Sequence, residues 1–399
     1  MKILIQFFIC GIFTSFLFPP FFLLPIGFFI FPFLFHLLVG TKFSQSSYRN
    51  FFFAGFLYGL GFFIIYIGWI KEPFLIEKQT KNYFFLSYLL IIYCSLYFGV
   101  VFITLKLFKN SIVKFLMLPS LVVLAEYICA NFLYGFPWIS FSLIYSNNII
   151  GTSLIFYLGS YGLSFIIILF FLFPYIFFFN NKNNKKKLLI FYLIILFILT
   201  SLVVYRNSNN TKEQFEKVSV SFVQLSYKIN QHLSNENLSE KYDEIIRIIK
   251  NNKSEIIIFG ENDYPYLMTN KDIVNLQSAL NIKQNLIIGS TRKDQNSYFN
   301  SFFLINKNTY QKFDKKILVP FGEFIPLRKV FKLMEFIAGT VDFTKGTDQR
   351  LLKLNSGITI LPVICYEMIY FWKLLNLDNK NANLIVNLTN DSWFGNFSG

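Results

Sequence analysis

Seven apolar runs dominate the first half of the sequence, at about residues 3–18, 21–39, 51–70, 83–105, 112–132, 149–178 and 188–205. Each reaches or approaches the roughly 20 residues that a helix needs to cross a bilayer. Pro19-Pro20 separates the first two, because proline can neither continue a helix nor donate its backbone hydrogen bond. A cleaved signal peptide is a poor reading of residues 1–18, since no small-x-small site precedes Pro19 and six more runs follow. Seven retained spans are expected over residues 1–206. Residues 207–399 read differently, as a domain in water.

The charges divide the chain at the same place. Residues 1–206 hold 14 basic and 3 acidic residues, whereas residues 207–399 hold 23 and 19. With 54% of the chain hydrophobic and 15% charged, a wholly cytosolic enzyme and a disordered chain are both excluded. If the N-terminus is cytoplasmic, the inside segments carry Lys2, Lys42, Arg49, Lys106, Lys109, Lys114, Lys182, Lys185, Lys186 and Lys187. The outside loops carry only Lys71, Lys78 and Lys81, with Glu72 and Glu77 beside them. Ten against three is a positive-inside bias, and an odd number of spans delivers residues 207–399 to the outer face. The tract from Asn180 to Lys187 is read as a topogenic loop. Its basic residues belong to dispersed membrane loops, which argues against nucleic-acid binding.

Strand-like runs at Val218–Val223, Glu255–Phe259, Leu286–Gly289, Ser301–Ile305, Gly357–Cys365 and Leu384–Asn387, with helical spacing over Asn237–Asn251, predict an α/β domain on buried sheets. Three motifs end or follow strands: IFGENDYP from Ile258, KKILVPFGE from Lys315, and LPVICYE from Leu361. Strand ends are where side chains from separate elements converge. Each motif alone has a plain reading: Cys365 as a small buried hydrophobe, Glu261 as a loop carboxylate, Lys315 as one more surface lysine. The four cysteines (Cys10, Cys94, Cys129, Cys365) have no spacing that pairs them. His36 and His232 are the only histidines, so a His-based triad or His-rich metal site has little to draw on. No Cys/His cluster has ligand spacing, and neither a metal nor a cofactor is expected.

In the order Glu…Lys…Cys the three motifs resemble the nitrilase superfamily. The membrane half narrows the resemblance: Phe18–Phe21, the glycine-rich Gly55–Gly61 with Trp69, Glu126, Gly135–Trp138, Lys315–Pro326 and Asn390–Gly395 (NDSWFG) look like the apolipoprotein N-acyltransferase family. That resemblance implies a polytopic α-helical membrane domain joined to a nitrilase-like αββα sandwich. It implies Glu261 as base, Lys315 as oxyanion stabiliser and Cys365 as nucleophile. Supporting parts fall to Glu323, Glu367, Tyr366, Asn390 and Trp393, with Glu323 and Glu367 expected to orient Lys315. The implied reaction moves an acyl chain from a phospholipid to Cys365, then to the α-amine of a diacylglyceryl-cysteine on an apolipoprotein. The implied setting is a bacterial inner membrane, with the catalytic domain periplasmic and the protein a monomer. Glu126, costly inside a span, is equally a functional group and a structural hydrogen-bond acceptor. Trp138 is expected to anchor at the outer interface.

The sequence departs from the family at Gly260, where a proline is usual, at Ile317, where a histidine is usual, and in Gln224–Leu233, which lacks an expected tryptophan. It also stops at Gly399, soon after the NDSWFG motif, so a fragment or truncated copy with an open sheet edge is expected. A membrane-tethered nitrilase-type amidase, an inactive remnant and a non-enzymatic membrane protein such as a transporter are the alternatives.

Overall fold

The computed structural model describes residues 2–76, 80–179, 181–209, 217–225, 227, 233–332, 335, 339–347, 350–374 and 379–395. Glu77, Lys78, Asn180, His232 and most of the 224–233 stretch lie outside the described residues. Contacts divide the chain into two compact units, one of Met1–Leu75 with Lys81–Glu213, the other of Gln214–Gly395 with Ile76–Thr80.

The first unit is a polytopic helical membrane domain. It contains α1 (Lys2–Ser15), α2 (Leu24–Val39), α3 (Tyr48–Tyr66), the short α4 (Glu72–Ile76), α5 (Ser87–Leu107), α6 (Ser111–Asn131), α7 (Ile149–Leu172) and α8 (Lys182–Ser208). Five helical stretches among the described residues are long and apolar enough to cross a membrane: those of α3, α5, α6, α7 and α8. The helices in the first two apolar runs are shorter, 14 residues in α1 and 16 in α2. At 1.5 Å per residue they fall short of a hydrocarbon core about 30 Å thick. The reason is local. Residues Phe16–Leu23 leave the helix in a turn around the cis Pro19-Pro20 bond, closed by the Leu23 N–H donating to the Phe16 carbonyl at 2.9 Å.

Small residues set the packing of α1, α3 and α5. A Cβ on Gly55 would lie 2.1 Å from the Phe98 carbonyl oxygen of α5, and one on Gly61 would lie 2.2 Å from that of Phe8 in α1. The glycine-rich run of α3 is therefore a contact surface on both sides, as expected where helices associate without a hydrophobic driving force. Glu126 sits buried in α6, where its Oε1 accepts the Phe141 N–H at 2.8 Å and holds the segment after α6 against the bundle. Trp138 packs on Trp69 (4.8 Å between centroids) and on Phe136, and its carbonyl accepts the Tyr66 hydroxyl at 3.1 Å.

The second unit has four layers. Strands β1 (Val220–Phe222), β2 (Ile256–Ile258), β3 (Asn285–Asp294), β4 (Ser297–Asn306) and β5 (Tyr310–Asp314) form one sheet in that order. β1, β2 and β3 run parallel, and β4 and β5 follow as antiparallel hairpins. Strands β6 (Leu352–Lys353), β7 (Thr359–Ile364) and β8 (Leu384–Leu388) form the second sheet, with β8 at its edge. Alternation along each strand decides the layers. Ile256, Ile258, Phe302 and Leu304 face Leu352, Ile360, Ile364 and Val386 in the core between the sheets. Ile257, Leu286, Ile288 and Phe303 turn outward onto Ile245 and Ile249 of α9 (Asn235–Asn251) and Ile273 and Leu276 of α10 (Asn270–Ala279). Leu361 and Val363 pack on Leu374 of the one-turn α11 (Phe371–Leu374) behind the second sheet. Helix, sheet, sheet and helix together make the αββα sandwich.

Candidate active site

Glu261 stands three residues beyond the end of β2, buried to 6% exposure. The adjacent strand makes room for it with Gly289: a Cβ there would lie 2.7 Å from the Glu261 Cα. Gly260, where the family resemblance led one to expect proline, donates its N–H to Asp263 Oδ2 at 2.7 Å. A proline has no such proton, so this turn is closed by a bond that the usual residue cannot make.

Lys315 follows β5 and is 1% exposed. Its N–H donates to the Asn300 carbonyl at 2.9 Å, continuing the β4–β5 ladder, and its ammonium turns into the site. Nζ lies 3.4 Å from Glu261 Oε1 and 3.0 Å from Glu323 Oε1. Burial alone would push this ammonium down, but the charges of Glu261 and Glu323 outweigh it and hold the group above its ordinary value. Glu323 reaches the site by a tight turn through Val319–Glu323, in which Phe321 takes a positive φ of 62°. The second oxygen of Glu323 accepts the Val319 N–H at 2.8 Å.

Cys365 immediately follows β7, at the start of a 3-10 turn (Cys365–Tyr370), with φ at +49°. A non-glycine residue in the left-handed region costs about 1–2 kcal/mol. Burial, and then the Glu261 charge, push the Cys365 thiol up to about 12, against opposing contributions from Lys315 and the Thr389 hydroxyl. The sulfur is thus a protonated thiol at neutral pH. The charges of Glu261 and Glu323 oppose the pull of Lys315 on the sulfur.

The expected supporting residues divide into three groups. Glu323 contacts Lys315 directly. Glu367, fully buried, does not reach the ammonium: Oε1 accepts the N–H groups of Lys316 (2.9 Å) and Ile317 (3.2 Å), and Oε2 accepts that of Ile364 (3.0 Å). Among these backbone groups it meets the chain beside Lys315, not the ammonium that the sequence reading had it orient. Ile317 occupies the usual histidine position with its backbone N–H engaged in this clamp. Tyr366 pairs its hydroxyl with that of Tyr370 at 3.0 Å. Asn390 accepts the Ser392 N–H at 3.0 Å and caps the short turn Asp391–Phe394, in which Trp393 is half-buried. Neither Asn390 nor Trp393 is bonded to Glu261, Lys315 or Cys365 among the described residues. Their neighbour Thr389 faces the thiol and opposes the upward push on it.

Asn300 went unnoticed in the sequence, yet its Nδ2 donates to Glu261 Oε1 and to Glu323 Oε1, both at 2.8 Å. It holds the two carboxylates around the lysine. An asparagine inside the strand run Tyr298–Ile305 was the available signal, since strands are poor in this residue.

The comparisons with known proteins cover both units. The family model described as the apolipoprotein N-acyltransferase N-terminal domain matches residues 10–173. An apolipoprotein N-acyltransferase from Rickettsia typhi is 28% identical over 98% of this chain and 80% of its own length. One from Brucella suis is 24% identical over 98% of the chain and 79% of its own. The chain is thus similar to apolipoprotein N-acyltransferases along nearly its whole length. A third relative of the same name, from Rhizobium etli, is 33% identical over 36% of the chain and 29% of its own length. Among solved structures, a CN-hydrolase superfamily protein from Xanthomonas campestris matches 44% of this chain and 66% of its own, at 14% identity and a TM-score of 0.32.

Proposed function

We propose that this chain is an acyltransferase of lipoprotein maturation, working through a thioester on Cys365. The observation that carries the reading is the Lys315 ammonium, almost fully buried between Glu261 and Glu323 at the strand ends that also present Cys365. In the first step the Cys365 sulfur attacks the ester carbonyl of a phospholipid and Glu261 takes the thiol proton. Lys315 faces the oxyanion of the tetrahedral intermediate, where a fixed cation in a dry site is worth several kcal/mol. The carbon–oxygen bond then breaks, and the lysophospholipid leaves as an alcohol with the proton from Glu261. In the second step the α-amine of a diacylglyceryl-cysteine attacks the thioester and passes a proton to Glu261. The carbon–sulfur bond breaks, and Cys365 recovers its proton.

The resemblance of the motifs and the names of the relatives support this choice of substrates. Residues 1–206 serve as the membrane domain and residues 207–399 as the catalytic domain on the periplasmic face of a bacterial inner membrane. Both substrates are lipids of the outer leaflet, which is why the catalytic domain is tethered there.

The test is trapping. The protein in vesicles that contain a phospholipid with a labelled acyl chain should carry label on Cys365, releasable by neutral hydroxylamine. Addition of a diacylglyceryl-cysteine peptide should discharge the label to its amine. Label that persists after Cys365→Ser would rule the thioester out. An acyl-enzyme discharged only to water would favour an amidase-like hydrolase instead.

A further inference from the structure

Glu367 is a carboxylate with no access to water, and three backbone N–H groups are not its only partners. The guanidinium of Arg350, which precedes β6, donates from Nη2 to Oε1 at 2.9 Å and from Nη1 to Oε2 at 3.3 Å. Nη1 also donates to the Pro362 carbonyl in β7 at 2.9 Å. Arg350 is 8% exposed and lies over the Phe313 ring of β5, with Cζ 4.6 Å from the centroid. A single ion pair, buried in the sandwich, therefore touches both the segment that carries Lys315 and the one that carries Cys365. Phe313, Lys316 and Ile317 flank Lys315 on one side. Pro362 and Ile364 run into Cys365 on the other.

Stability is a poor account of such a pair. Burying two charges costs about as much as their attraction returns, and apolar residues of similar volume often do as well. What the pair does supply is geometry: a two-pronged donor and a two-pronged acceptor fix each other in plane and distance. We propose that Arg350 is a positioning residue for the transfer reaction. Acting through the Glu367 carboxylate, it sets the spacing between the strand end that carries Lys315 and the turn that carries Cys365. Neither residue of the pair touches the acyl group. The proposal rests on the acyl-transfer reading, and its test separates the two.

The experiment uses the intact protein in vesicles with the labelled phospholipid, and compares Arg350→Met, Arg350→Lys, Glu367→Gln and the double variant Arg350→Met/Glu367→Gln. Arg350→Met should lower the maximal rate of acyl-thioester formation by about tenfold or more, with the half-saturating lipid concentration within about twofold of wild type. Arg350→Lys, which restores the charge but not the fork, should recover about a third of the wild-type rate. The double variant should be within about twofold of Glu367→Gln alone, because the carboxylate carries most of what Arg350 does and the Pro362 carbonyl the rest. It buries no unpaired charge, so this comparison stands even if Arg350→Met fails to fold. Alkylation of Cys365 by iodoacetamide, with Cys365→Ser as background, needs no lipid and should slow in parallel. A rate for Arg350→Met within about twofold of wild type, or losses that multiply in the double variant, would overturn the proposal. A wild-type protein that is alkylated but never takes label overturns the acyl-transfer reading instead, and the alkylation rates still decide the role of Arg350.

Discussion

Lys315 is the residue on which the cluster turns, since its single charge faces two carboxylates and a thiol. Replacing it with methionine leaves Glu261 and Glu323 buried without a cation. The expected cost is about 3–5 kcal/mol of stability, seen as a lower denaturation midpoint, with thioester formation reduced on the order of a thousandfold. Lys315→Arg should fold but not work well, because a planar fork cannot take the place of a point charge between two carboxylates. Cys365 offers a pH test with a definite sign. Its folded-state thiol is raised from 9.0 to about 12, so the unfolded chain ionises first as pH rises. Stability contributed by the neutral thiol is complete below about pH 9 and is lost progressively toward pH 12. Alkylation of the free enzyme, in the same range, should keep rising beyond pH 9 where an ordinary thiol would level off. A plateau near pH 9 would show that burial does not control this sulfur.

At the scale of elements, the sequence was most readable where one period dominates. The helix expected over Asn237–Asn251 spans Asn235–Asn251, and the strand ends after Ile258 and Ile364 fall beside Glu261 and Cys365. Glu261, Lys315 and Cys365 could be picked out through the order of their motifs and the family those motifs resemble, since each alone has a plain reading. Arg350 and Thr389 could not, since their parts depend on which distant backbone comes near, and no local period records that. Strand β5 was missed because Tyr310–Asp314 mixes Gln, Lys and Asp into its alternation, and α10 because its apolar face is only Ile273, Leu276 and Ala279. The glycines gave a similar lesson. Gly289 reads as an ordinary strand interruption, yet it is the space into which the Glu261 backbone fits. Gly289→Ala should cost about 1–3 kcal/mol by overpacking, because the 2.7 Å contact is with backbone that cannot swing aside. Thermal denaturation measures that cost. Cys365 alkylation should fall with it, as Glu261 is displaced.

For the molecule as a whole, the proposed arrangement in the membrane rests on charge and parity. Short α1 and α2 do not disturb it: whether the pair crosses fully or turns back, the N-terminus and the segment Lys42–Arg49 remain on one side. If α3, α5, α6, α7 and α8 each cross, as their length and apolarity allow, the number is odd and the end of α8 lies opposite. The lysines 182–187 prove to be the first turns of α8 rather than a loop, capped by Asn181, whose Oδ1 accepts the N–H groups of Asn183 and Asn184. Cations at a helix N-terminus oppose the helix dipole, at about 0.3–1 kcal/mol each. Their place there makes sense if retention on the cytoplasmic side outweighs that penalty. Alkaline phosphatase fused after residue 206 should therefore be active, and the same fusion after residue 110 inactive. Replacing Lys182, Lys185, Lys186 and Lys187 with glutamine leaves six inside cations against three. That change should lower the activity of the residue-206 fusion by allowing part of the population to insert without the last crossing. An unchanged fusion activity would mean that the preceding helices alone orient α8, and that the lysine tract has some other purpose.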